Sequence, residues 1–311
     1  MHSGCDLRIF GIAQTGFSGS TLLAFMLGAH SRVFVTGEAH QLFRRYREVS
    51  DGCRAVDMCS VHHEQCDFWT KGFLAQCERG DVSAVHTRIA SRFPSVSVAV
   101  HSFLFDVYAQ LLREGSGLDG LIVLFKRPVA YYCSRKVHVG GSVGDAAARY
   151  ISGYREINDL SENHGLPVAA VFYDDLATKL RETLPALCTW LGLAYEPVMT
   201  KPWEAVDRLH TIGGNAGTYM NLWDEAFRDR MLDSPYWQEV HGERGRIWLH
   251  NNYRKIKLDD RWKSLPPEEI QEMEACTEAQ EMFEMLMAQR LLPNPENRSV
   301  TMYRASECRD S

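Results

Sequence analysis

Short apolar runs separated by longer two-faced stretches set the rhythm of this chain. Five runs, Arg8–Ile12, Val33–Thr36, Val96–Val100, Leu121–Phe125 and Val168–Phe172, are dense in branched and aromatic residues and predict buried strands. Apolar positions recur at helical spacing over Ser20–Ala29, Phe103–Arg113, Val129–Val137, Asp145–His164, Leu176–Leu191 and Pro267–Arg290. Alternation of this kind predicts an α/β fold with a mainly parallel central sheet and helices on both faces. Ligands of such sheets bind beyond the carboxyl ends of the strands. No internal repeat is visible, and residues 1–311 are expected to form one domain. Residues 198–262, rich in Trp, His and Asn, show little periodicity and are expected to cap the site as an irregular segment.

The first strand leads into the most informative stretch, Gly16-Phe17-Ser18-Gly19-Ser20-Thr21-Leu22-Leu23, which is followed by an amphipathic continuation, Ala24 to Gly28. Strand, Gly/Ser-rich turn and helix in that order set free backbone N–H groups and two hydroxyls at the positive end of a helix, a cradle for an anion. The G-x-x-x-x-G-K-[ST] pattern of triphosphate-binding loops is not met, because no lysine lies between Gly11 and Ala29. The loop therefore points away from NTP hydrolysis. A serine at position 18 or 20 would also suit a simple helix cap.

Composition narrows the partners. The formal charge of −6 argues against a nucleic-acid binder. No apolar segment reaches the ~20 residues of a membrane helix, and residues 1–6 lack the basic and apolar regions of a secretory signal. A cytoplasmic protein without membrane partners is the expectation; the oligomeric state is left open.

Further motifs agree in order with one family. The loop, with Val33 to Thr36 and the Gly37-Glu38 pair behind it, resembles the N-terminal signature of sulfotransferases that use 3′-phosphoadenosine 5′-phosphosulfate (PAPS), especially their bacterial-type branch. Leu121 to Pro128, ending at Ser134, is similar to the family's strand and 3′-phosphate segment. Val171-Phe172-Tyr173-Asp174-Asp175-Leu176 is similar to its Tyr-Glu-Asp-Leu block. His210-Thr211-Ile212-Gly213-Gly214-Asn215 and Asp260-Arg261-Trp262 resemble its C-terminal cofactor loop and closing helix. The resemblance covers about residues 7 to 290 and implies a P-loop-like sulfotransferase fold. It also implies transfer of a sulfuryl group from PAPS to a hydroxyl of a small-molecule acceptor, releasing 3′,5′-ADP (PAP), with no metal required.

Residue by residue, the resemblance assigns the phosphosulfate to the loop, Phe17, Ser18, Gly19, Ser20 and Thr21. It assigns the 3′-phosphate to Lys126, Arg127 and Ser134, with Gly213, Gly214 and Asn215 closing over it, and the adenine to Tyr173. Three usual cation positions differ: Phe17 stands where Lys or Arg is common, Ala216-Gly217 follow Asn215 where an Arg is frequent, and Lys126 stands where the family's first Arg is usual. The stretch after His101 also lacks a lysine common in the bacterial-type branch. An alcohol acceptor needs a general base. Glu38 at the Gly-Glu position is the first candidate, His101 at the end of the third strand the second, and His40 the third. Two other readings stand beside this one: a small-molecule kinase with a degenerate loop, and a non-catalytic nucleotide-binding protein on the same scaffold.

Nine cysteines are an odd number for a disulfide framework. Cys53, Cys59 and Cys66 cluster with His62 and His63, yet no C-x-x-C knuckle is present and a fourth zinc ligand is not evident from the spacing. Reduced thiols in a structural loop are the expectation here.

Overall fold

The computed structural model describes residues 7–38, 59–62, 65–77, 82–102, 108–109, 111–112, 117–215, 218, 220–233, 238, 243, 247 and 253–292. All five predicted strands form: β1 (Arg8–Ala13), β2 (Val33–Gly37), β3 (Val98–His101), β4 (Gly120–Phe125) and β5 (Val168–Phe172). They make one sheet in the order β2-β3-β1-β4-β5, and every pairing in it is parallel. Strand β4 is buried along its whole length, as its unbroken apolar run requires when helices cover both faces. From β1 the chain goes to one edge of the sheet, and from β4, its neighbour, to the other. The carboxyl ends of β1 and β4 thus flank a topological switch point, where open α/β sheets bind ligands.

The helices are α1 (Ser20–Gly28), α2 (Lys71–Cys77), α3 (Val82–Arg92), α4 (Pro128–His138), α5 (Val143–His164), α6 (Tyr173–Thr178), α7 (Leu180–Trp190), α8 (Glu225–Leu232), α9 (Pro267–Ala275) and α10 (Thr277–Ala288). Local chemistry sets several ends. Pro128 opens α4 at a position that needs no N–H donor. Ser142 and Asp145 form a reciprocal capping box for α5, and Gly165 closes it in the left-handed region at φ 60°.

Four sequence expectations change. Helix α1 is buried from Leu23 to Gly28 and is apolar around its circumference rather than two-faced, because it lies between β2 and the turns after Glu196. The run 176–191 is broken at Lys179, whose ψ of 38° leaves the helical range. There the Thr183 hydroxyl donates to the carbonyls of Asp175 and Lys179, satisfying groups that the break would strand. The run 267–290 is broken at Cys276, with ψ at 90°, and Gln280 covers the carbonyl of Met273 at 3.1 Å. Helices α2 and α3 were not expected; in α3, polar Ser83, His86 and Thr87 dilute a pattern whose Val85 and Ile89 are nonetheless fully buried. The predicted helix 103–113 falls mostly outside the described residues.

Buried tyrosines finish the strand ends that face the site. Tyr108 donates to the carbonyls of Ile12 and His101, bridging β1 and β3. Tyr150 and Tyr154 of α5 donate to the carbonyls of Lys126 and Leu124, each at 2.9 Å. A strand carbonyl buried without a partner would be destabilising by about 1–3 kcal/mol, so these hydroxyls hold the sheet's carboxyl edge in a single geometry.

Candidate functional site

The loop after β1 turns through left-handed backbone three times, at Gly16 (φ 84°), Phe17 (φ 52°) and Gly19 (φ 97°). Gly19 is required twice over. It is the N-cap residue of α1 in the left-handed region, and a Cβ there would lie 2.7 Å from the Tyr173 ring. No side chain caps α1. Ser18 instead donates its hydroxyl to the Gly16 carbonyl at 3.0 Å, and the Ser20 hydroxyl accepts from Gln14. The helix-cap explanation of these serines therefore does not hold. Among the described residues no side chain caps the N–H groups of the helix start, and the positive end of the dipole lies behind them.

A second strip closes over this helix start. Ile212 adds to the sheet beyond β2, accepting from the Glu38 N–H at 2.7 Å and donating to the Thr36 carbonyl at 2.9 Å. Gly214, at φ 102°, packs so closely on Thr21 that a Cβ would lie 2.9 Å from its methyl group. The Asn215 N–H donates to the Thr21 hydroxyl at 3.0 Å. Thr21, Glu38, Ser102, Gly213 and Gly214 consequently line one small cleft. Sequence positions almost 200 apart thus meet at the loop.

The other two base candidates fare differently. His101 is fully buried, with Nδ1 2.6 Å from the Thr36 hydroxyl and Nε2 2.9 Å from Nε2 of His86. Burial, and then the neighbouring His86, hold it well below the usual histidine range. Both ring nitrogens are engaged inside the fold. His40 lies outside the described residues. Phe17 stacks on His138 at 5.1 Å with the rings nearly parallel, so an aromatic pair occupies the neighbourhood where a cation was expected.

Beyond β4 a charged cluster forms around Asp259. Lys126 is 4% exposed, with Nζ 2.6 Å from Asp259 Oδ2 and 3.3 Å from the Ser134 hydroxyl. Arg261 holds both oxygens of the same carboxylate, at 2.7 and 2.9 Å, and Ser134 donates to it at 3.0 Å. Burial pushes the Asp259 carboxyl up, but Arg261 and Lys126 together outweigh it and hold the group well below the usual carboxylate range. Burial lowers Lys126, and Asp259 opposes that shift. The Lys126 ammonium also sits 4.4 Å from the centre of the Tyr173 ring, whose hydroxyl donates to the Lys257 carbonyl. Arg127 points elsewhere, pairing with Asp174 at 2.6 Å. The sequence thus brings Lys126, Ser134 and Tyr173 together and leaves Arg127 apart. Asp259 was missed; the only signal was its place just before the Asp260-Arg261-Trp262 stretch.

A separate group of thiols and imidazoles lies against the closing strip. Cys59, His62 and Cys66 have ligand atoms within 4.8 Å of one another, as do Cys66, Asp67 and His210. Burial and contact with Cys66 push the Cys59 thiol up, whereas the hydrogen bond from Cys59 pulls Cys66 down. Cys53 and His63 fall outside the described residues.

No protein-family model matches the chain, and no curated protein matches it in sequence. Solved structures do match. The sulfotransferase domain of the Synechococcus PCC 7002 olefin synthase superposes with a TM-score of 0.51 at 17% identity, over 81% of this chain and 96% of that domain. The sulfotransferase domain from the curacin biosynthetic pathway gives 0.52 at 18% identity, over 79% and 98%. The chain therefore has the α/β fold of sulfotransferase domains, as the order of its motifs led one to expect. Among the described residues, no helix is long and apolar enough to cross a membrane.

Proposed function

We propose that this protein is a PAPS-dependent sulfotransferase that modifies a hydroxyl of a small molecule. The observation that carries the reading is the uncapped, lysine-free start of α1 at the sheet's switch point, with Glu38 and Thr21 in one cleft beside it. Such a loop suits an anion that is not a triphosphate. The donor set around Lys126 fits a second anionic group, because it already gathers an ammonium, a guanidinium and a hydroxyl on one carboxylate.

PAPS supplies an activated sulfuryl group whose S–O bond to the 5′-phosphate breaks as the acceptor oxygen bonds to sulfur. Transfers of this kind pass through loose transition states, so the protein acts mainly by positioning and charge stabilisation. In this reading the N–H groups of Ser18 to Thr21, with the Ser20 and Thr21 hydroxyls, hold the 5′-phosphosulfate and leave it no freedom to rotate. Gly213, Gly214 and Asn215 close the cleft against bulk water. Glu38 takes the acceptor's proton as the acceptor oxygen bonds to sulfur, and returns it to solvent once 3′,5′-ADP has departed. Lys126, Ser134 and Arg261 hold the 3′-phosphate, and for this Asp259 must withdraw, since two anions cannot share those donors. In this reading Tyr173, packed between Gly19 and Lys126, meets the adenine. Residues 198–262 would carry acceptor specificity, within a single domain acting in the cytoplasm.

The deciding experiment is a thermal denaturation series with 3′,5′-ADP, ADP and ATP. A ligand bound to the native state raises the midpoint by mass action. 3′,5′-ADP is expected to raise it clearly more than ADP. Equal shifts from the two would end the reading, and a magnesium-dependent preference for ATP would favour the kinase.

A further inference from the structure

We propose that Cys59, His62, Cys66 and His210 bind a structural zinc ion that staples the chain around residues 59–69 to the strip closing the anion cradle. The spacing Cys59-x-x-His62-x-x-x-Cys66 leaves a tetrahedral ion one ligand short, and the fold brings the fourth from 144 positions away. Cys66 Sγ lies 3.4 Å from His210 Nδ1, and Cys59 Sγ lies 3.9 Å from His62 Nδ1. A tetrahedron with Zn–S arms of ~2.3 Å and Zn–N arms of ~2.0 Å has S···N edges of about 3.5 Å. The Cys66–His210 separation matches that edge, and the Cys59–His62 separation is wider. Cys66 is the ligand shared by the two groups of three, so the ion would draw His210 and the Cys59–His62 pair together about it. All four residues come from the protein, which makes the site closed and structural rather than catalytic.

Three features independent of that spacing point the same way. Both sulfurs receive backbone donors: Val61 and His62 N–H point at Cys59 Sγ at 3.4 and 3.5 Å, and Trp69 N–H at Cys66 Sγ at 3.2 Å. Donors aimed at sulfur favour the thiolate, the form that ligates metal. His62 has Nε2 3.0 Å from the Val206 carbonyl, an outer bond that fixes the tautomer and turns Nδ1 toward the thiols. His210 is buried, and its own carbonyl accepts the Trp69 indole N–H at 2.7 Å, locking the two segments together. Asp67 competes for the fourth position, but its carboxylate is 64% exposed and already bound to Arg92 at 2.6 Å. The imidazole is the better-held ligand.

The staple has a mechanical consequence. Ser60, next to the first thiolate, donates its N–H to the Thr211 carbonyl and its hydroxyl to the Gly213 carbonyl. The ion would thereby brace the strip that carries Gly213 and Gly214.

Metal analysis of the full chain, expressed in zinc-supplied medium and purified without chelator, tests this without reading activity. About one zinc per chain is expected, and cobalt substitution should give the visible spectrum of a tetrahedral thiolate site. Cys66→Ser should lose the metal and Cys276→Ser should keep it. Because Cys66→Ser can fail by unfolding, His210→Cys gives a second reading: the ion should stay, with stronger thiolate-to-cobalt charge transfer. A folded wild-type chain with only background zinc and an octahedral cobalt spectrum overturns the proposal. So does a His210→Cys cobalt spectrum identical to that of the wild type.

Discussion

Two groups of anion-seeking donors flank Tyr173, and they are in opposite conditions. At the start of α1, no side chain among the described residues caps the backbone N–H groups. Around Lys126 every donor is engaged by one internal carboxylate, Asp259. The first region is preorganised: no capping side chain among the described residues has to move for a ligand. The second is self-neutralised: a ligand must first displace a buried acid held by two cations. Burying the Lys126 ammonium without a counter-charge would be strongly unfavourable, which gives Asp259 a structural role of its own. Under the proposed reading, affinity resides mainly in the loop and discrimination between nucleotides in the cluster.

The largest expected effect tests whether chemistry belongs to the loop side. Glu38→Gln keeps shape and removes proton acceptance. Loss of a general base lowers rates by ~10²–10⁴-fold, so sulfuryl transfer should collapse while PAPS affinity stays near normal. Retained turnover in this variant would remove Glu38 from the mechanism and leave His101 and His40 to be tried.

Next in size is the loop's own grip. Hydrogen bonds to charged groups contribute ~1.5–3 kcal/mol, so Thr21→Ala should weaken 3′,5′-ADP about tenfold or more by calorimetry. The same change frees the Asn215 N–H, so protection of that amide from hydrogen exchange should fall too. Unchanged affinity in the folded variant would empty the loop of its assigned role.

A smaller effect of opposite sign is expected at the cluster. Asp259→Asn removes the internal competitor, so 3′,5′-ADP should tighten several-fold while ADP, lacking the 3′-phosphate, hardly changes. If both nucleotides respond equally, the cluster does not discriminate and the contrast between the two regions fails.

The smallest effect is on stability against pH. Asp259 has its folded-state pKa depressed, so its ion pairs stabilise the native state at neutral pH. That contribution is fully present above the unfolded value of about 4 and is lost as pH falls toward the folded one. Asp259→Asn should be less stable at neutral pH and show a shallower fall in midpoint through that acid window. An identical acid dependence in wild type and variant would mean the pairs contribute nothing measurable.

The five strands and the glycine loop were legible because their causes are local. Val, Ile and Phe at short spacing demand burial, and glycines at 16 and 19 permit the left-handed turns that the loop makes there. The breaks at Lys179 and Cys276 were hidden, since side chains elsewhere in the fold supply the bonds that make each break tolerable. Strand, glycine turn and helix in sequence order marked Ser18 to Thr21 as candidates for an anion, and the family resemblance added Lys126, Arg127 and Ser134. Tertiary structure alone decided which of these are already occupied. It set Asp259 among the donors from 133 positions beyond Lys126, closed both nitrogens of His101, and carried His210 to Cys66. Charge pairing and thiol–imidazole contact depend on distance in space, and a parallel sheet returns its strands to one edge only after long crossovers, so no window along the chain contains both partners.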